Sequence, residues 1–285
     1  MALVRHKIFM IVKIILLLLL FFSSILSAHE QNKAQISQAT YLGNEGLMVK
    51  NGSVKILFDP FFHNNFNLYS LVPEELRQAI FSGKPPYDAI NAVFISHAHG
   101  DHFAADDLLR FLQAHPKTQL LAPKQAIDKI TALASQKQLE QLKPQLTAIE
   151  LKYKDKAQSF AMKKLLVEVV RIPHAGWPSR ADVSNLVFRV TLDKTLTVMH
   201  MGDADPNDIH FKPYKDYWLK NTTNTAFPPY WFFTSEDGQI ILEERINTET
   251  SIGIHVPKKA PFSLIMTGEK FYSKSGETTV LGHKH

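Results

Sequence analysis

Residues 92–102 read Ala92-Val93-Phe94-Ile95-Ser96-His97-Ala98-His99-Gly100-Asp101-His102. The apolar run at the start predicts a short buried strand. It delivers the chain into a turn that carries four metal-capable side chains, His97, His99, Asp101 and His102. A turn lets alternate side chains converge on one point, and Gly100 supplies the backbone freedom it needs. The bland alternative is a polar loop with chance histidines. Three His and one Asp packed this tightly behind a Val-Phe-Ile strand argue against it. The 285 residues contain no cysteine. Disulfides, thiolate metal sites and a thiol nucleophile are therefore excluded, and a metal would have to be held by nitrogen and oxygen.

Outward from this turn, strands are expected over residues 40–42, 46–49 and 54–58, with a hairpin turn at Asn51-Gly52. A helix is expected over 73–81, with Pro73 in its first turn. Ala104 to Ala114 reads as a helix closed by Pro116, with Asp107 on it as a surface carboxylate. A strand at 117–121 follows, then a helix opened by Pro123. Residues 136–164 mix helix and strand. Further strands are expected over 165–172, 183–192, 195–200, 230–234 and 251–256, with a helix near 238–247. Strands that begin as a hairpin run and later alternate with helices predict a layered α/β domain.

The N-terminus has the order of an address. Arg5, Lys7 and Lys13 precede an apolar run that continues to Leu26, and Ser27-Ala28 follow. This is the pattern of a secretory signal over residues 1–28, or of an uncleaved membrane anchor. Either exports the body, to the periplasm or beyond the cell. Residues 29–39 are expected to be flexible and residues 40–285 to form the domain. The net charge of +5 is partly carried by that N-terminus. Without residues 1–28, 29 basic residues face 27 acidic ones. A nearly neutral body gives no electrostatic case for a nucleic-acid partner.

His97-Ala98-His99-Gly100-Asp101-His102 resembles the signature of the metallo-β-lactamase superfamily, and the resemblance extends over about residues 40–260. It implies a four-layer αββα sandwich and later ligands in a set order at strand ends. His174 follows the strand at 165–172. Asp203, in Met201-Gly202-Asp203, follows the strand at 195–200. His255 lies in Ile254-His255-Val256-Pro257. By that resemblance His97, His99 and His174 would hold one divalent metal. Asp101, His102 and His255 would hold a second, and Asp203 would bridge the two. Asp59, before Pro60, would orient ligands by hydrogen bonds. The donor set suits zinc, and also manganese or iron.

The implied activity is hydrolysis of an ester, lactone or phosphodiester by a hydroxide between two metals, with Asp101 guiding a proton. A metal-dependent binding or sensor module on the same fold is the alternative. The bridging Asp203 speaks against a true β-lactamase. The layout resembles the branch of sugar-lactone hydrolases and of phospholipase-D-like enzymes acting on N-acylated phospholipids, so a small or lipid-like substrate is expected. His63, Tyr69, Trp177 and Arg180 fall in loops after predicted site strands and are candidates to shape the pocket. His200 and His210 flank the Asp203 element as candidate proton donors, although pleat parity turns His200 away from Asp203. Phe61-Phe62, Phe66 and Pro228-Pro229-Tyr230-Trp231-Phe232-Phe233 read as core rather than as an acyl-binding surface.

Overall fold

The structure is a computed structural model that describes residues 36–282. The expected signal or anchor and residues 29–35 lie outside the described residues. Residues 37–39 of the segment expected to be flexible are instead in a strand. Ser37 pairs with Leu281 on one side and Asn51 on the other, so this stretch is an interior member of a sheet. Among the described residues no helix is long and apolar enough to cross a membrane.

The strands in chain order are β1 (Ser37–Gly43), β2 (Gly46–Asn51), β3 (Val54–Phe58), β4 (Ala92–Phe94), β5 (Gln119–Pro123) and β6 (Leu146–Ile149). There follow β7 (Gln158–Met162), β8 (Leu165–Arg171), β9 (Leu186–Leu192), β10 (Leu196–His200), β11 (Thr225–Phe227) and β12 (Thr278–Leu281). One sheet has the order β12-β1-β2-β3-β4-β5-β6 and the other β11-β10-β9-β8-β7. The Asn51-Gly52 turn joins β2 to β3 in register Asn51 against Val54, as its sequence predicts.

Side chains alternate across the first sheet with the period of two that a strand imposes. Val54, Ile56 and Phe58 enter a core shared with Val167, Val169, Phe188 and Val198 of the second sheet. Leu57, Val93 and Leu120 point the other way. They meet Ile80 of α1 (Glu74–Phe81), Leu108 and Phe111 of α2 (Ala105–Ala114), Ile127 of α3 (Lys124–Leu133) and Leu142 of α4 (Gln136–Leu142). The outer face of the second sheet, through Val170, Val187 and Met199, packs on Phe211, Trp218, Phe232, Ile241 and Leu264 from short helical segments. Helix, sheet, sheet and helix therefore stack as four layers. Pro73 and Pro123 stand immediately before α1 and α3, where a missing N–H costs nothing.

Two expected strands are replaced. Residues 230–232 form a 3₁₀ turn, and the strand lies just before it, at β11. Pro228 and Pro229 have no N–H to donate, so the ladder cannot continue through them. Residues 251–256 pair only through bridges, Ser251 with Ala226 and Ile254 with Pro229. His255 has φ +57, which ends any extended run. The late helix begins earlier than expected, at Glu236–Ile240, and widens into a π turn over Ile241–Arg245. Asp107 is also not on the surface: it is buried and accepts hydrogen bonds from Arg77 Nε and Nη2.

β3 and β4 run parallel, and β8 and β10 share a direction because both are antiparallel to β9. Leu186 N, at the start of β9, donates to Ser96 O just past the end of β4. That bond brings the C-terminal ends of strands from both sheets to one rim.

Candidate metal centre

Asp59, His97, His174 and Asp203 leave the ends of β3, β4, β8 and β10 at this rim, and all are buried. Asp203 is the centre of the cluster. Its Oδ2 lies 3.1 Å from His174 Nε2 and 3.9 Å from His97 Nε2. Its Oδ1 lies 3.1 Å from His255 Nε2 and 3.3 Å from His102 Nε2. Each carboxylate oxygen thus faces its own pair of histidines. His99 Nδ1 is 3.1 Å from His97 Nε2, on the first side. Asp101 Oδ2 is 3.5 Å from His102 Nε2 and 3.6 Å from His255 Nε2, on the second. His97, His99 and His174 form one group that could hold a metal ion, and Asp101, His102 and His255 another. The structure brings the turn at 97–102, the β8 end, the β10 end and the loop at 255 together.

The donors fit cations. Asp101 Oδ1, His102 Nε2, His174 Nε2, Asp203 Oδ1 and His255 Nε2 are buried without a hydrogen-bond partner. Native interiors rarely leave so many polar atoms unsatisfied in one place, except where an ion completes them. The opposite ring nitrogens of His97, His102 and His174 are occupied. His102 Nδ1 donates to Asp59 Oδ2 at 3.0 Å, and His174 Nδ1 donates to Ala175 O at 2.8 Å. His97 Nδ1 is 3.0 Å from Ser96 Oγ, whose hydroxyl donates to Asp59 Oδ2. These bonds fix the tautomer that leaves the Nε2 lone pair of these three rings free. Asp59 thus accepts from the His102 ring and from Ser96.

Burial pushes His97 well below, and His99 below, the ordinary imidazole value, so both rings are neutral. Burial would lower His255 and His102 too. The Asp203 charge and hydrogen bonding to Asp101 and Asp203 together outweigh it, raising His255 to about 9 and His102 well above the ordinary value. Burial likewise opposes ionisation of Asp203 and Asp101. For Asp203 the charges of His255 and His102 prevail, and for Asp101 hydrogen bonding to the same two rings does; both carboxyls sit below the usual range. A cation arriving at His102 and His255 therefore displaces protons, whereas at His97 and His99 it displaces none.

A cavity of about 580 Å³ opens onto the cluster, lined by Phe66, Tyr69, Arg180 and Trp231 beside the ligating side chains. Tyr69 and Trp231 both set their rings edge-on to His255. Of the four pocket candidates, Tyr69 and Arg180 line this cavity. His63 is exposed and bonds Asp106, and Trp177 stacks near Tyr153 and His210; neither is among the lining residues. Phe61, Phe62, Phe232 and Phe233 are core, but Phe66 is 61% exposed at the rim. His200 donates from Nε2 to Glu45 O and accepts Gly202 N–H at Nδ1, so it is a neutral structural ring, as parity predicts. His210 is buried and bonded to Tyr153 Oη, away from the cavity lining.

Sequence reasoning missed three supports. Asn185 donates to Ile172 O and Met201 O and accepts Asp203 N–H, tying the β8 and β10 ends together. Gly202 has φ +53, and a Cβ there would sit 2.4 Å from Asn185 Oδ1, so the approach of these two loops needs glycine. Glu45 is wholly buried against His102 and His200. Glu45 lies in the hairpin turn Gly43-Asn44-Glu45-Gly46, and packing of distant segments buries it.

The family model for the beta-lactamase superfamily domain matches residues 54–218, more than half of the chain. The chain belongs to the metallo-β-lactamase superfamily. A curated superfamily relative from Agrobacterium fabrum, a UPF0173 metal-dependent hydrolase, is 38% identical over 63 residues, 22% of this chain and 23% of that protein. The matched stretch thus spans under a quarter of the relative's length. The metallo-beta-lactamase fold protein YhfI of Bacillus subtilis superposes over 86% of this chain and 99% of its own, with a TM-score of 0.57 and 17% identity. Igni18, a metallo hydrolase from Ignicoccus hospitalis, superposes over 87% and 100%, with a TM-score of 0.58 and 16% identity. At such identity these two similarities speak for the fold, which is the four-layer metallo-β-lactamase arrangement.

Proposed function

We propose that the protein is a metal-dependent hydrolase that cleaves an ester, lactone or phosphodiester at two divalent cations, zinc being favoured by the imidazole-rich donors and manganese or iron also suited. The observation that carries this reading is Asp203, whose two oxygens each face a separate histidine pair. His97, His99 and His174 would hold one cation and Asp101, His102 and His255 the other. The chemistry such cations would supply is Lewis acidity, which would lower the pKa of water from about 15.7 towards 7 and polarise the bond under attack.

The chain's own groups do the rest. Asp101 lines the cavity with an unpartnered Oδ1, placed to accept a hydrogen bond from the attacking water and orient it. Burial and then the Asp203 charge keep the Tyr69 phenol protonated at neutral pH, so it can donate to the departing oxygen. Phe66, Tyr69 and Trp231 give the cavity an aromatic wall, and Arg180 contributes a cation at its edge. These features favour a substrate that joins an apolar part to an anionic group.

The test is Asp203→Asn, assayed on ester, lactone and phosphodiester panels with and without chelator. Wild-type protein should carry two cations and lose its activity on chelation. The variant should carry one or none and lose about 10²–10³-fold in kcat/KM. Full activity and two bound cations in the variant would overturn the reading.

A further inference from the structure

The β1–β2 turn is clamped to the site at three points. Asn44 Nδ2 donates to Asp101 O at 3.0 Å, Asn44 O accepts His255 N–H at 3.0 Å, and Glu45 O accepts His200 Nε2–H at 3.0 Å. The turn is also tight from outside: a Cβ at Gly43 would lie 2.9 Å from the Leu71 backbone. Glu45 therefore has no freedom to swing out to solvent.

Its carboxylate is wholly buried, and neither oxygen has a hydrogen-bond partner. The nearest ring nitrogens are already committed. His102 Nδ1 is 3.6 Å from Oε2 but donates to Asp59, and His200 Nε2 is 3.7 Å away but donates to the Glu45 carbonyl. A buried carboxylate with no partner costs several kcal/mol. One oxygen of Glu45, one oxygen of Asp203 and one ring nitrogen of His255 lie within 4.8 Å of one another, a group that could hold a metal ion. Two metal–ligand bonds of roughly 2.1–2.4 Å span such a separation.

We propose that Glu45 is a further carboxylate serving the cation held by Asp101, His102 and His255. The inference rests on the two-cation reading. It makes the two positions chemically unlike. The first is three imidazoles and one oxygen of Asp203. The second has carboxylates from Glu45, Asp101 and Asp203 beside two imidazoles. Imidazole-rich donors suit zinc, whereas carboxylate-rich donors suit harder cations such as manganese. The second position is thus the better of the two for manganese.

The experiment titrates chelator-stripped wild type, Glu45→Gln and Glu45→Asp with Zn²⁺ and with Mn²⁺ by calorimetry, and follows each melting curve. In Glu45→Gln the Mn²⁺ affinity should fall at least 10-fold while the tighter Zn²⁺ site stays within 3-fold. Stripped Glu45→Gln should melt at or above stripped wild type, because an amide of the same size replaces an unpartnered buried carboxyl. Glu45→Asp, which keeps the charge on a shorter arm, should lose less Mn²⁺ affinity than Glu45→Gln. Unchanged Mn²⁺ affinity in Glu45→Gln overturns the assignment. So does a stripped Glu45→Gln that melts well below wild type, since that marks a purely structural role. Wild type that takes up no cation at all defeats the two-cation reading itself.

Discussion

Replacing Asp59 by Asn is a sharp probe of how the ligands are held. The carboxylate accepts three donors: Ser96 N–H at 2.8 Å on Oδ1, and Ser96 Oγ–H at 2.5 Å and His102 Nδ1–H at 3.0 Å on Oδ2. Asparagine has the same shape and tolerates the φ of +40 found here, so the backbone is not the variable. Its amide NH₂ must face one side or the other. If it replaces Oδ1, it meets Ser96 N–H; if it replaces Oδ2, it meets His102 Nδ1–H. Either way a buried N–H loses its acceptor, a cost of about 1–3 kcal/mol. For a domain of this size that lowers Tm by about 2–10 °C. His102 also loses the carboxylate that fixes its tautomer, and metal affinity at its position should fall about 10–100-fold. Scanning calorimetry of stripped protein reads the first effect, and chelator competition reads the second. Wild-type melting together with wild-type affinity would refute the claim that Asp59 holds the His102 ring.

Two other perturbations separate architecture from chemistry. Glu168→Ala strands the Arg189 guanidinium, which is wholly buried and takes Glu168 through Nε at 2.7 Å and Nη2 at 2.8 Å. Stability should fall by about 3–5 kcal/mol with cation stoichiometry unchanged, measured by denaturant unfolding and metal analysis; a loss below 1 kcal/mol would mean the guanidinium finds other partners. The Arg180 side chain shows no hydrogen bond or ion pair among the described residues yet lines the cavity. Arg180→Ala should therefore raise KM about 10-fold for an anionic substrate and leave a neutral analogue within 2-fold, since a charge-assisted hydrogen bond contributes about 1.5–3 kcal/mol. Equal effects on both substrates would remove Arg180 from anion recognition.

Much of the layer pattern is written locally. Val54, Ile56 and Phe58 alternate with Lys55 and Leu57, and Pro73 and Pro123 mark helix starts, because strand pleat and proline geometry act over a few residues. Expectations failed where distant packing decided. Asp107 reads as a helix-surface carboxylate until Arg77, thirty residues away, is folded over it. Residues 230–234 have the composition of a strand, but the prolines before them have no ladder donors. The pocket candidates divided for the same reason. Tyr69 and Arg180 reach the cavity while His63 and Trp177 find partners elsewhere, a difference set by the path of each loop.

The sequence alone determined the His97–His102 turn as a place where donors converge, because four donors within six residues can meet only by turning. Through resemblance it also supplied the order of His174, Asp203 and His255. Tertiary structure decided how those donors divide: which Asp203 oxygen faces which histidine pair, and that Glu45 is enclosed beside the second. Burial and unsatisfied lone pairs arise from segments far apart in the chain, so neighbouring residues carry no trace of them.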